Sequence, residues 1–185
     1  LGIPCYDTEI LEMASELSGI NASYFFEANE KINKGQIRIR NSKGVYTGRL
    51  YSVEDAKYLS DENLFNYQAE VIKSLALGGK QSCIIIGKAA NRIIGSLKNV
   101  VTVNIQAPME VCVGNIVNRL QINTVEAKEK ILQTNKYRAN YYRYYTGGTW
   151  DDPTEYDLTI NPGAVGEDYA AQMIVDYLKY KGLTK

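Results

Sequence analysis

Several polar and charged residues stand directly after apolar segments of the sequence, where they suit the binding of an anion. Asp7, the pair Gly87 and Lys88, and the pair Asn161 and Pro162 each follow a short apolar run. In an open parallel sheet, ligands bind beyond the carboxyl ends of the strands. If the apolar runs are parallel strands, these side chains lie at one edge of a sheet, where they can contact the same ligand.

The Gly87-Lys88 pair offers backbone amides at the start of a helix together with a cation, which suits a phosphate group. A turn glycine followed by a solvated lysine explains the same pair without any ligand. The segment is not a Walker A loop, because Ser82 stands where the first glycine is needed and Ala89 where Ser or Thr is needed. The pair therefore suits an acceptor phosphate better than the triphosphate of ATP.

The stretch 134–150 interleaves basic and aromatic residues at helical spacing. Its members on adjacent turns of one face are Arg138, Tyr141, Tyr142 and Tyr145, with Lys136 and Arg143 nearby. A phosphate clamp is built in this way, and an RNA-stacking surface also combines Arg with Tyr. An ordinary helix with packed tyrosines and solvated cations remains the alternative.

The chain contains no histidine, so it cannot form a Ser-His-Asp triad, a Cys-His dyad or a zincin helix by itself. Phosphoryl transfer remains available, because it relies mainly on positioning and on charge neutralisation by Lys, Arg, Mg²⁺ and backbone amides. The 21 basic and 21 acidic residues balance, which disfavours DNA as a partner.

Three cysteines lie in apolar stretches, which is typical of reduced core thiols and indicates a cytoplasmic protein. They are Cys5, Cys83 and Cys112. The longest apolar runs are too short to cross a bilayer, so no membrane association is expected. We expect the acidic residues of the segment 151–157 to have structural roles, and we assign no metal site.

The pattern of elements predicts an α/β fold. Apolar runs at 3–7, 83–86, 100–105 and 156–160 predict strands, and the runs separated by helices indicate a parallel sheet. Helical periodicity starts at Thr8, and Gly19 is expected to end this helix, while Asn21 can cap the next one. It recurs over 61–77, through Arg92, and over 109–120, 126–145 and 167–180. Apolar and basic residues alternate at the start of 36–52, which predicts a polar hairpin or a flap in this stretch.

Five motifs in this order resemble the cytidylate-kinase-like family of bacteria over nearly the whole chain: IPCYDTEIL, NLFNYQAEVIKSLA, CIIIGKAANRII, VVTVNIQAPMEV and NKYRANYYRYYTGGTWDDPTEYDLTIN. The resemblance implies a single domain over 1–185 of the P-loop NTPase, nucleoside-monophosphate-kinase type. Such a domain has a parallel-sheet core with helices on both faces. A nucleotide-binding insertion is expected at about 20–80 and a helical lid at about 119–150.

The resemblance also implies roles for individual residues. Asp7 lies near the acceptor nucleotide, and Lys88, with Arg92 beside it, holds the acceptor phosphate. Arg138 and Lys136 neutralise charge during transfer. Arg119 and Arg143 make further phosphate contacts in the lid, and the nucleotide base lies near Asn161 and Pro162.

Three departures from the family pattern are evident. The glycine-rich ATP loop is not found in residues 1–185 and is expected upstream of Leu1, so ATP and Mg²⁺ rest on the resemblance alone. Cys112 and Asn115 stand where relatives carry arginines, and Asn135 replaces an aspartate. Lys88 replaces an arginine and lacks its bidentate fork.

We therefore expect a kinase that moves a phosphoryl group from ATP to a nucleoside monophosphate, with CMP as one candidate acceptor. The alternative is a degenerate, kinase-like nucleotide-binding or regulatory module without turnover. The sequence does not decide whether the protein forms a homodimer, because the tyrosine-rich helix could pack against the core or against a second copy of the chain.

Overall fold

The computed structural model describes residues 2–29, 44–78 and 81–184 and shows a mixed, mainly helical α/β fold. The strands are β1 (Cys5–Tyr6), β2 (Ile84–Ile85), β3 (Val103–Ile105) and β4 (Leu158–Ile160). The helices are α1 (Glu9–Ser18), α2 (Ala22–Ala28), α3 (Asp61–Gly78), α4 (Ala90–Ile94), α5 (Met109–Leu120), α6 (Thr124–Thr146), α7 (Pro162–Val165) and α8 (Glu167–Tyr180), with a 3₁₀ turn at Pro153–Glu155.

The four predicted strands are present and pair in parallel, but they are shorter than predicted. Cys5 lies opposite Ile84 in the β1–β2 pair, and Val103 lies opposite Leu158 in the β3–β4 pair. The described strands thus form two sheets of two strands each, and the expectation of one continuous sheet is not met among the described residues. The strands are shorter than the apolar runs that predicted them, because a residue joins a strand only where a neighbouring backbone supplies hydrogen-bond partners.

Contacts between residues divide the chain into two compact units. The first contains Leu1–Val100 and Tyr137–Trp150, and the second contains Val101–Lys136 and Asp151–Lys185. The predicted lid at about 119–150 falls in both units. The predicted insertion at about 20–80 lies within the first unit, with 30–43, 79 and 80 outside the described residues. That the chain functions as one domain with these subdivisions stays a prediction.

The apolar core of the first unit lies between α1 and α3. Ile10, Leu11 and Ala14 are fully buried on α1 and pack with Ile72 of α3. Gly19 ends α1 in the left-handed conformation with φ 74°, and the Asn21 side chain caps α2 by accepting the Ser23 N–H at 2.9 Å. The local signals therefore located these helix ends correctly.

A second cluster in the first unit is aromatic. The rings of Phe65 and Tyr145 stack with centroids 4.0 Å apart, and the Tyr145 hydroxyl donates to the Asp61 carbonyl at 3.1 Å. Tyr141 and Tyr142 are buried beside them. Tyr141, Tyr142 and Tyr145 thus pack in the interior, as the ordinary-helix alternative predicted, whereas Tyr137 of the same helix is exposed.

Two aspartates of the segment 151–157 have structural roles, as expected. The Asp157 carboxylate accepts the Thr102 N–H at 2.8 Å and the Thr102 hydroxyl at 2.9 Å. Asp152 caps the 3₁₀ turn by accepting the Thr154 N–H at 2.9 Å. In the part of the chain that the structure describes, no group of three or more His, Cys, Asp or Glu residues could hold a metal ion.

Some local predictions were wrong. Residues 44–52 form no strand, so of the two alternatives for 36–52 the hairpin is not found in this part, and 36–43 lie outside the described residues. Cys5 is exposed, and Cys83 and Cys112 are only partly buried, so the free thiols are not core residues.

None of the helices among the described residues has the length and hydrophobicity of a membrane-spanning segment.

Candidate functional site

The carboxyl ends of β1 and β2 bring together two of the predicted site residues. The Lys88 ammonium lies 3.0 Å from the Asp7 carboxylate, although the two residues are 81 positions apart in the chain. The Lys88 side chain is only 2% exposed, whereas that of Asp7 is 52% exposed. The ion pair therefore links a cation in the interior to a carboxylate that is half in water.

The backbone around Lys88 adopts an uncommon conformation. Gly87, Lys88 and Ala89 have φ angles of 69°, 53° and 55°, so three consecutive residues lie in the left-handed region. This region costs a non-glycine residue about 1–2 kcal/mol, and such strain persists only where the surroundings impose it. In this strained turn, the Lys88 side chain is buried and Ala89 packs into the aromatic cluster.

Glu9, which the sequence interpretation missed, joins this pair from the first turn of α1. Its carboxylate accepts the backbone N–H of Asp7 at 2.9 Å. That hydrogen bond, then one from its own backbone N–H, and to a smaller extent the charge of Lys88 hold the pKa of Glu9 below its usual value. The sequence did contain a signal for Glu9, because acidic residues favour the first turn of a helix and Glu9 follows the strand-end aspartate by two positions.

Helix α4 connects the strand-end site to helix α6. The Asn91 amide donates to the Tyr142 hydroxyl at 2.8 Å, and Ala89 packs in the cluster that contains Tyr142. Arg138 is one helical turn before Tyr142 and is exposed, so its guanidinium can meet a ligand from solvent. The structure thus separates the two predicted cations by environment, with Lys88 in the interior and Arg138 at the surface.

Arg92 lines a cleft of about 180 Å³ at the end of α6. The other lining residues are Tyr46, Ile93, Tyr145 and Thr146. Two of these lining residues are joined by a hydrogen bond, in which the Tyr46 N–H donates to the Tyr145 carbonyl at 3.0 Å. An exposed guanidinium beside a phenol and a hydroxyl can bind a phosphate or a sugar hydroxyl.

The remaining predicted residues are distributed between the two units. Arg143 is exposed in the last turn of α6 and belongs to the first unit. Arg119 at the end of α5 and Lys136 in α6 are exposed residues of the second unit. Asn161 caps α7 by accepting the Gly163 N–H at 3.0 Å, and Pro162 begins that helix. The binding roles of these residues stay predictions.

Comparisons with known proteins gave a family and a related fold. The family model described as the cytidylate kinase-like family matches residues 1–164. The crystal structure of an uncharacterized protein from Eubacterium ventriosum ATCC 27560 is similar, with a TM-score of 0.68 at 21% identity, over 97% of this chain and 85% of that chain. Comparison with curated proteins gave no match. At this identity the solved structure shows a shared fold and does not indicate a function.

Proposed function

Because this chain belongs to the cytidylate kinase-like family, we propose that it acts in phosphoryl transfer from ATP to a nucleoside monophosphate. The observation that carries the proposal is the Asp7–Lys88 ion pair at the carboxyl ends of two parallel strands. Ligands of open parallel sheets bind at this position. The family name makes CMP the first acceptor to test, and the P-loop NTPase type of fold is part of the proposal.

In this proposal, Lys88 positions Asp7 rather than contacting solvent-exposed phosphate directly. Its ammonium donates to one oxygen of the Asp7 carboxylate, Oδ1, and the Asp7 side chain remains 52% exposed. The second oxygen of the Asp7 carboxylate can accept a hydrogen bond from a hydroxyl or amino group of the acceptor nucleotide. The strained turn at 87–89 maintains this arrangement before any ligand arrives, which lowers the cost of binding.

The exposed arginines supply the positive charge that the acceptor phosphate requires. Arg92 lies in the cleft at the end of α6, and Arg138 lies one turn from Tyr142 on the same helix. A planar guanidinium binds two phosphate oxygens at once. During transfer, an acceptor phosphate oxygen bonds to the γ-phosphorus while the bond from that phosphorus to the β–γ bridging oxygen breaks, and ADP leaves. We assign Arg138 the neutralisation of charge on the moving group.

The residues of this chain fit a magnesium ion that takes most of its ligands from nucleotide phosphates and water. Mg²⁺ commonly uses only one or two protein carboxylates in such sites. The Asp7 carboxylate is assigned to Lys88 and the acceptor nucleotide in this proposal, so the metal would be held through phosphate oxygens and water. The bound metal would neutralise phosphate charge, and no residue of this chain is assigned to the triphosphate of ATP.

The test is a kinase assay on the full-length natural protein with ATP, Mg²⁺ and each of CMP, UMP, AMP and GMP. We expect Arg138→Ala to lower kcat/KM about 100-fold or more, because a positioned charge on the transferring group is lost. Lys130→Ala is the matched control, since Lys130 is another exposed cation of α6, and it should change kcat/KM by less than about twofold. Equal turnover by the natural protein and the Arg138 variant contradicts the proposal.

A second candidate is a nucleotide-binding module without turnover. The burial of Lys88 favours it, because this cation is already paired and only 2% of its side chain is exposed. The residues Cys112 and Asn115 on α5 also carry no charge to stabilise a transferring phosphoryl group. This candidate predicts calorimetric binding of nucleotide with no product formed, and any Arg138-dependent kinase activity excludes it.

A further inference from the structure

Helix α3 buries three carboxamide side chains, and two of them have clear structural roles. Asn63 accepts the Tyr51 N–H at 2.8 Å and donates to the Tyr51 carbonyl at 3.0 Å. Asn66 donates to the Arg49 carbonyl at 2.7 Å and accepts the Gly48 N–H at 3.3 Å. Both side chains therefore hold the segment before α3 through its backbone.

The third carboxamide, that of Gln68, has no such role. The residue is 2% exposed, and its carbonyl oxygen Oε1 is buried and accepts no hydrogen bond from any described residue. A buried carbonyl without a donor has lost its water and gained nothing in return. Methionine would fill the same space without that loss, so packing alone does not account for a glutamine here.

The position of Gln68 connects it to the strand-end site. Its neighbour Ala69 and Phe65, one turn earlier, pack in the cluster that contains Ala89, the residue after Lys88. On its other side, Leu64 and Ile72 of α3 pack in the cluster of helix α1, which begins two residues after Asp7. Gln68 thus lies between the two clusters that support Asp7 and Lys88.

We propose that Gln68 is a base-recognition residue that hydrogen-bonds the pairing edge of the acceptor nucleobase. This inference rests on the proposed function. A carboxamide presents an acceptor and a donor in one plane, which complements the adjacent N–H donor and acceptor found on the pairing edge of every nucleobase, so Gln68 would distinguish a nucleotide from a sugar phosphate. Three side-chain torsions allow the carboxamide to turn from its buried position towards the ligand. The bound base then supplies the donor that Oε1 lacks in the free protein.

The test compares the natural protein with Gln68→Met by calorimetry, using CMP, UMP, AMP, GMP and ribose 5-phosphate as ligands. We expect the affinity for the best nucleotide to fall about 10- to 100-fold, the effect of losing a hydrogen bond in a buried site. Ribose 5-phosphate retains the sugar and phosphate but has no base, so its affinity should change by less than about twofold.

Thermal unfolding separates this role from a structural one. Gln68→Met should leave Tm unchanged or raise it, because an unmet polar group is removed. The matched control, Asn66→Leu, should lower Tm, since it strips the bonds to Arg49 and Gly48. Unchanged nucleotide affinity in Gln68→Met overturns the inference, as does an equal loss of affinity for the nucleotide and for ribose 5-phosphate.

This experiment distinguishes a failure of the inference about Gln68 from a failure of the proposed phosphoryl transfer. If the natural protein binds a nucleotide without turnover and Gln68→Met loses that binding, the inference holds while phosphoryl transfer fails. If the natural protein binds none of the four nucleotides, both are wrong.

Discussion

Lys88 is a buried cation that pairs, among the described residues, with the half-exposed Asp7. The difference in burial between the two groups determines how the site responds to substitution. The Lys88 ammonium is in the interior, whereas the Asp7 carboxylate is half hydrated. Removing the carboxylate leaves a buried charge without compensation, while removing the ammonium leaves a carboxylate that water can solvate. The two halves of one ion pair therefore contribute unequally to stability.

We expect Asp7→Asn to lower the free energy of unfolding by about 1–3 kcal/mol, below the cost of breaking a fully buried pair because Asp7 is partly solvated. Lys88→Met should cost less than about 1 kcal/mol, since methionine fills the space without a charge and suffers the same left-handed strain as lysine. Urea unfolding of both variants measures the difference. An equal cost, or a larger one for Lys88→Met, would show that Lys88 is not held as a buried charge.

The end of helix α6 shows how one element is completed by another. The last carbonyls of a helix have no partner within it. Here the N–H groups of Val45 and Tyr46 reach the carbonyls of Tyr144 and Tyr145, and Gly44 makes the close approach. Gly44 has a φ of +67°, and a Cβ at this position would overlap the Tyr145 carbonyl.

Gly44→Ala should therefore destabilise the protein by about 2 kcal/mol or more, the sum of left-handed strain and steric overlap. Gly48→Ala is the matched control, because its φ is +70° but its Cβ would lie at an ordinary 3.7 Å from the Lys73 ammonium. That variant should lose only about 1 kcal/mol. Thermal unfolding compares the two, and equal losses would mean that the contact with Tyr145 is not tight.

The two units of the chain bury apolar surface very differently. Both clusters of buried apolar residues lie in the first unit, and α3 contributes to each of them. In the second unit, Ala170 is the buried residue among the described positions of α8. Burial of apolar surface is the main source of stability, so local stability should follow the same division.

Amide hydrogen exchange should accordingly be slowest in the middle of α3 and faster in α8, since few buried contacts oppose local opening of that helix. Exchange followed by mass spectrometry on the full-length protein gives the protection of each segment. Protection of α8 equal to that of α3 would indicate that α8 is covered by something other than the residues described.

Much of the local structure was predictable, because its causes lie within a few residues. The Asn21 cap, the glycine end of α1 and the span of α8 depend on neighbouring side chains and on helical periodicity. Helix α7, with four residues, was not predicted, because it is too short to show a period. The parallel pairing of the strands also followed from the alternation of strands with helices.

The candidate site was predictable only in part. That Asp7 and Lys88 lie together follows from strand order, because the carboxyl ends of parallel strands share an edge. That the Lys88 side chain is buried rather than solvated, and that Gln68 lacks a donor, does not follow from any local pattern.

The amino-acid sequence alone thus determined the longer helices, the parallel strand pairing and the family of this protein. Tertiary structure decided which polar groups are buried and paired, and so which of the predicted cations reach solvent. The physical reason is that burial and ion pairing depend on residues distant in the chain, such as the 81 positions between Asp7 and Lys88, whereas periodicity and capping are local.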